Sequence, residues 1–181
     1  MRHTRTLQEA EGSAAPPPTK EEPKGAVGGQ GRSQVHLPLP RIVDNPAGEQ
    51  LVSLPTWLWG DPASWGVCSA TAQVPGVMVT AVARPTSVSW SMGDGTSVSC
   101  PGPGTPFPPG GDPWAPSPDC GHVYRDSSAA QAGQAFPVIA TVHWSVIWWG
   151  VGQGGTFPDL TTSASTQFRV AEAQALGTGP R

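Results

Sequence analysis

Trp90-Ser91-Met92-Gly93-Asp94-Gly95-Thr96 is the stretch on which the fold turns. Gly-Asp-Gly is a tight-turn signal, because glycine accepts the positive φ that short hairpins demand. On its N-terminal side Val88, Trp90 and Met92 alternate with polar residues, which is the period of a half-buried strand. On its C-terminal side Thr96 to Cys100 reads as the return strand. Working backward, Val77, Val79, Ala81 and Ala83 occupy one face of a second alternating run. A Pro75-Gly76 turn separates that run from Val67 to Val74. Working forward, residues 101–119 form a long Pro/Gly loop holding Trp114, and Phe136 to Trp149 is a long strand candidate. Gly150 to Gly155 is a turn, and a last strand falls between Thr161 and Ala173. About seven strands joined by turns predict an all-β, antiparallel, immunoglobulin-like sandwich.

Composition agrees. The chain has 181 residues with 23 glycines and 22 prolines, which disfavours helix. Only 13% of residues are charged, and they gather in the N-terminal segment. Residues 51–181 contain no lysine, and the net charge is −3, so the concentrated basic surface that nucleic acid requires is missing. Residues 1–49 read as a disordered tail, with Ala14 to Lys24 rich in proline and mixed charge. Pro16 to Pro18 within it is weighed as a polyproline ligand against a plain spacer, and the spacer is preferred. A Trp-rich lead-in covers residues 50–65, the sandwich 66–173, and a flexible C-terminus 174–181. No run of roughly 18 apolar residues predicts a transmembrane segment. Arg2, His3 and Arg5 could begin a signal peptide, but Gln8, Glu9 and Glu11 interrupt the apolar region that should follow.

Taken in order, Trp90, Gly93-Asp94-Gly95, the Cys120-Gly121-His122-Val123-Tyr124 step and the strand from Phe136 to His143 resemble the PKD domain family. The likeness covers roughly residues 66–173, and the chain as a whole resembles secreted or membrane-anchored proteins of high-GC Gram-positive bacteria. The resemblance implies that Trp90 is the central buried ring and that Asp94 bonds nearby backbone amides. It also implies that Tyr124 packs at a sheet corner with its hydroxyl on backbone, while His122 is structural. Met92 departs from the family, which usually carries an aromatic there, and Pro137 departs where a β-branched residue is common. Proline cannot donate to a ladder, so Pro137 should sit at an edge or a bulge.

The three cysteines are Cys68, Cys100 and Cys120. Cys100 and Cys120 bracket the Pro/Gly loop, and a bond between them would stabilise by roughly 3 kcal/mol in the chain-entropy picture. The alternative is two separate buried thiols. Cys68 is then left as a small buried hydrophobe. No Cys-x-x-Cys pair and no calcium loop exist, so no metal is expected. No cofactor is expected either, since there is no G-x-x-x-x-G-K-[ST], and the Gly150–Gly155 run lacks a following helix. His122, His143, Asp94, Asp112, Asp119 and the many serines could be combined into a triad on paper. No Gly-x-Ser-x-Gly elbow or H-E-x-x-H accompanies them, so no catalytic residue is assigned. The expected function is a non-catalytic extracellular or cell-envelope module acting as spacer, scaffold or protein-interaction domain. Trp114, Trp144, Trp148 and Trp149 are its candidate binding surface. The partner is then an unknown protein or, as an alternative, cell-wall polysaccharide stacked on exposed Trp rings. A nucleotide-binding protein is a weaker third reading.

Overall fold

The computed structural model describes residues 35–172. The proline-rich N-terminal segment up to residue 34 and the C-terminus from 173 lie outside the described residues. Nine strands are present in order: β1 (Ile42–Asn45), β2 (Glu49–Leu51), β3 (Pro55–Gly60), β4 (Cys68–Val74), β5 (Val77–Ser91), β6 (Ser97–Cys100), β7 (Gly121–Val123), β8 (Phe136–Gly150) and β9 (Gln153–Ala171). They form an all-β sandwich of two sheets. The small sheet has the order β1-β3-β7, and the large one β2-β9-β8-β5-β4, with β6 also pairing β5. No helix among the described residues is long and apolar enough to cross a membrane.

The large sheet is built on three long strands, and its geometry follows from two places where the ladder slips. β5 pairs β8 over almost its whole length, with a shift between Pro85 and Ser87. Before the shift the odd residues Val79, Ala81 and Ala83 are buried, and after it the even residues Val88 and Trp90 are. Without one extra residue near Thr86, one of the two apolar sets would point to solvent. What the alternation suggested as two strands is therefore one strand with a bulge. β9 repeats the device against β8, with a shift between Trp144 and Val146 that leaves Pro158 and Asp159 out of register. The final strand thus begins at Gln153, earlier than Thr161, and only Val151 and Gly152 remain as turn.

The N-terminal boundary also moves. Ile42–Asn45 pair antiparallel with Trp57–Gly60, and Gln50 pairs Val170, so residues 42–49 belong to the sandwich and not to a tail. The lead-in over 50–65 likewise contains the end of β2, all of β3 and a 3-10 turn at Pro62–Ser64. A buried glutamine joins these pieces: Gln50 Nε2 donates to Asp44 Oδ2 at 2.8 Å and to the Pro46 carbonyl at 2.7 Å. Its Oε1 accepts from Thr56 Oγ1 at 2.9 Å. Buried polar groups need such partners, and here they tie β1 and β3 of the small sheet to β2 of the large one.

The core lies between the sheets and contains Leu58, Val88, Trp90, Tyr124, Phe136, Val138, Trp144 and Phe168. Burying each large ring or aliphatic chain contributes about 1.5–3 kcal/mol. Pro137 pairs Gln167 in β9, but β5 ends opposite Ile139, so on its other side the proline has no ladder to interrupt.

Candidate functional site

Four groups of residues carry chemistry. The first is the turn at Gly93-Asp94-Gly95. Asp94 Oδ1 accepts from the Thr96 amide at 2.9 Å and from its hydroxyl at 2.6 Å. Oδ2 meets His122 Nε2 at 2.8 Å. Burial alone would raise the Asp94 pKa, but these hydrogen bonds outweigh it and hold the carboxyl below its ordinary value. His122 stands edge-on to the Tyr124 ring at 4.6 Å, and Tyr124 stacks on Phe136 at 5.3 Å. The Tyr124 hydroxyl donates to the Met92 carbonyl at 3.1 Å. Burial, with Asp94 and Asp44 nearby, pushes that hydroxyl's pKa upward. Trp90 is fully enclosed, and its indole N–H has no acceptor. Asp94, His122 and Tyr124 are each turned inward on backbone or on a neighbour, so they fix a corner of the sandwich.

The second group is the disulfide-closed loop. Cys100 and Cys120 are bonded, with their Cα atoms 5.4 Å apart, and both are buried. Cys100 ends β6 of the large sheet and Cys120 precedes β7 of the small one, so the bond crosses the core. The loop between them lies over the outer side of β3. Trp57 Nε1 donates to the Ala115 carbonyl at 2.8 Å, and Phe107 stands against the Trp57 ring at 5.1 Å. Gly60 donates to the Pro103 carbonyl, and Thr105 bonds Asp119. Asp112 and Asp119 serve such turns, and among the described residues no cluster of three His, Cys, Asp or Glu could hold a metal. Cys68 is unpaired and packs beside the core at the edge of the large sheet.

The tryptophans are the third group, and they separate. Trp144 is buried, with its indole N–H on Thr162 Oγ1 at 3.0 Å, so it is core rather than binding surface. Trp148 faces the same side, lies over Gly155 and tilts toward Phe157. Any side chain at 155 would press on that indole, which gives the second half of the Gly150–Gly155 run its role. Trp149, adjacent in a strand, must point to the opposite face and is 48% exposed. Trp114 is 69% exposed but belongs to the loop over the small sheet. Exposed rings therefore sit on opposite layers, not in one row. Around Trp149 the register supplies its neighbours. Thr80 is opposite Trp149, Val82 opposite Ile147, and Met78 follows on the same face. Ile147 is 42% exposed and Met78 57% exposed. The result is a largely apolar patch on the outer face of the large sheet, with Arg84 at one end beside Val82 and a shallow depression lined by Gly76, Val151 and Gln153 at the other.

The fourth group was not assembled from sequence. Ser89 Oγ lies 2.8 Å from His143 Nε2, and His143 Nδ1 lies 2.7 Å from Asp159 Oδ2. His143 was considered for a triad, but neither Ser89 nor Asp159 was paired with it. The only sequence cue is that Asp159 is the single carboxylate carried by β4, β5, β6, β8 or β9. No family model, no curated protein and no solved structure matches this chain.

Proposed function

We infer that the chain is an immunoglobulin-like module of PKD type that works outside the cytoplasm or in the cell envelope, as a scaffold or protein-interaction domain. The inward-turned Asp94–His122–Tyr124 corner supports the PKD likeness, since it uses the residues that carry the resemblance. The Cys100–Cys120 bond is compatible with an oxidising compartment. The observation that carries the interaction role is the patch of Met78, Val82, Ile147 and Trp149. Exposed aromatic and long apolar side chains grouped together, here with Arg84 at their rim, are what protein partners use as anchors. Polysaccharide stacking asks for exposed rings in a row, and Trp144 and Trp148 face the core instead.

A photo-crosslinking amino acid placed at position 149 tests the interaction role, with position 163 on the same face as control. The expected result, on the cell that produces the protein, is one discrete adduct from 149 that disappears with Ile147→Ser and Met78→Ser while the melting temperature holds. Equal adducts from 149 and 163, or none from either, would remove the patch as an interaction site.

A further inference from the structure

We propose that Ser89 is an activated nucleophile, with His143 as its general base and Asp159 orienting that base, forming an acyl-transfer site on the outer face of the large sheet. This goes beyond the interaction role and rests on different residues.

Proton placement follows from the partners. An ionised carboxylate can only accept, so the 2.7 Å contact with Asp159 puts the hydrogen on His143 Nδ1. In neutral imidazole Nε2 is then an acceptor, and the 2.8 Å contact makes the Ser89 hydroxyl the donor. Of the two neutral tautomers only the one with hydrogen on Nδ1 satisfies both bonds, and it is the one a serine nucleophile needs.

The backbone supplies a second, independent observation. The three side chains come from β5, β8 and β9, and both slips of the large sheet fall beside His143. On one side the β5 shift lies between Pro85, opposite Trp144, and Ser87, opposite His143. There Thr86 Oγ1 donates to the His143 carbonyl at 3.0 Å. On the other side Asp159 is itself one of the out-of-register residues of β9. Thr161 is opposite His143 in the ladder, and Asp159 lies two residues before it, inside the out-of-register step. Bulges recur next to active sites.

In the reaction, Ser89 Oγ attacks an ester carbonyl and forms the new C–O bond while its proton passes to His143 Nε2. The tetrahedral carbon expels the alcohol, which leaves with the proton from Nε2, and Ser89 is acylated. Water then gives its proton to Nε2 and attacks the acyl carbon. The acid is released, and the Ser89 oxygen recovers its proton. Ser99 and Thr141, opposite Ser89 on β6 and β8, place hydroxyl groups on the same face, that of Thr141 being bonded to Ser163 Oγ at 2.9 Å. The site is open, with the His143 and Asp159 side chains 31% and 57% exposed, and apolar Ile139 lies diagonal to Ser89. It therefore fits an ester of a short acyl group presented from outside.

The test uses the whole folded chain and a fluorophosphonate, whose phosphorus accepts the serine oxygen and releases fluoride. Adducts are mapped by peptide mass, with p-nitrophenyl acetate as acyl probe. The expected result is an adduct on Ser89 at least about 100-fold faster than on Ser91, two residues along the same face. It should fall by about the same factor in His143→Gln and Asp159→Asn chains that melt like wild type, and be unchanged in Ser91→Ala. Labelling of Ser89 no faster than Ser91 would overturn the proposal from the wild-type chain alone, whatever the variants do. Fast labelling that survives His143→Gln would overturn the role of the histidine.

Discussion

Replacing Gly93 with alanine and, separately, Gly95 with alanine adds the same methyl group to one turn in two different surroundings. Gly93 has φ +77° and Gly95 φ +90°, so both substitutions force an L-residue into left-handed backbone. That costs roughly 1–2 kcal/mol each. At Gly95 nothing lies within 4 Å of the added Cβ, and the cost stops there. At Gly93 the Cβ would fall 2.6 Å from the Pro137 carbonyl oxygen and 2.9 Å from Phe136 Cβ. Neither neighbour is the free end of a flexible side chain, so the start of β8 must shift. Overpacking of this kind adds about 1–3 kcal/mol, for a total of about 2–5 kcal/mol. At roughly 3 °C per kcal/mol for a domain of this size, Gly95→Ala should lower the melting temperature by about 3–6 °C and Gly93→Ala by about 6–15 °C. Calorimetry on the two variants, run side by side, measures the difference. Equal shifts, or a larger one at Gly95, would refute the packing of the turn against β8.

Replacing Cys100 and Cys120 with alanine reopens a loop whose ends are separated by 20 residues, and urea unfolding should show a loss of about 3 kcal/mol. An unchanged midpoint in reductant would contradict that. Asp94 contributes through pH: its folded pKa lies below the unfolded value, so its stabilisation is present above the unfolded pKa of about 4 and is lost as pH falls through the folded one. Asp94→Asn should therefore flatten the acid limb of a stability-against-pH curve, and an identical limb would show the carboxylate uninvolved. Asp44 has the opposite sign, since burial raises its pKa against the weaker pull of Gln50, so protonating it relieves a cost as pH falls. Gln50→Ala strips partners from both Asp44 and Thr56 and should cost about 1–3 kcal/mol by urea unfolding, with a loss under 0.5 kcal/mol counting against the buried tie.

The parts of this fold that were legible in sequence are those decided within about ten residues. Glycine on both sides of Asp94, between alternating runs, could be little other than a turn. Two cysteines around a proline-rich loop likewise predicted their own bond, with two buried thiols as the alternative. The bulges were not legible. Val79 to Ala83 and Val88 to Trp90 each alternate cleanly, but nothing local says that a phase change joins them, and Pro85 reads as a break. β1 was missed because Ile42 and Val43 are only two apolar residues beside Asp44 and Asn45, and their strand exists through pairing with Trp57 to Gly60. Trp148 and Trp149 could be assigned to opposite faces by parity, but not which one faced the core. Ser89 and Asp159 escaped for the same reason as β1. They are 54 and 16 residues from His143, and only strand register brings them to it.

The pairing of β2 with β9 carries a mechanical meaning. These two strands run parallel, Glu49 opposite Arg169 and Leu51 opposite Ala171. Tension applied through the segments flanking the described residues would meet β1 first and, passed on, draw the N-terminal end of β2 one way and the C-terminal end of β9 the other. The ladder then meets the load in shear, with its bonds strained together rather than peeled one at a time, and the Gln50 tie shares the strain. Under such a load β2 and β9 would have to part as a unit, not one bond after another.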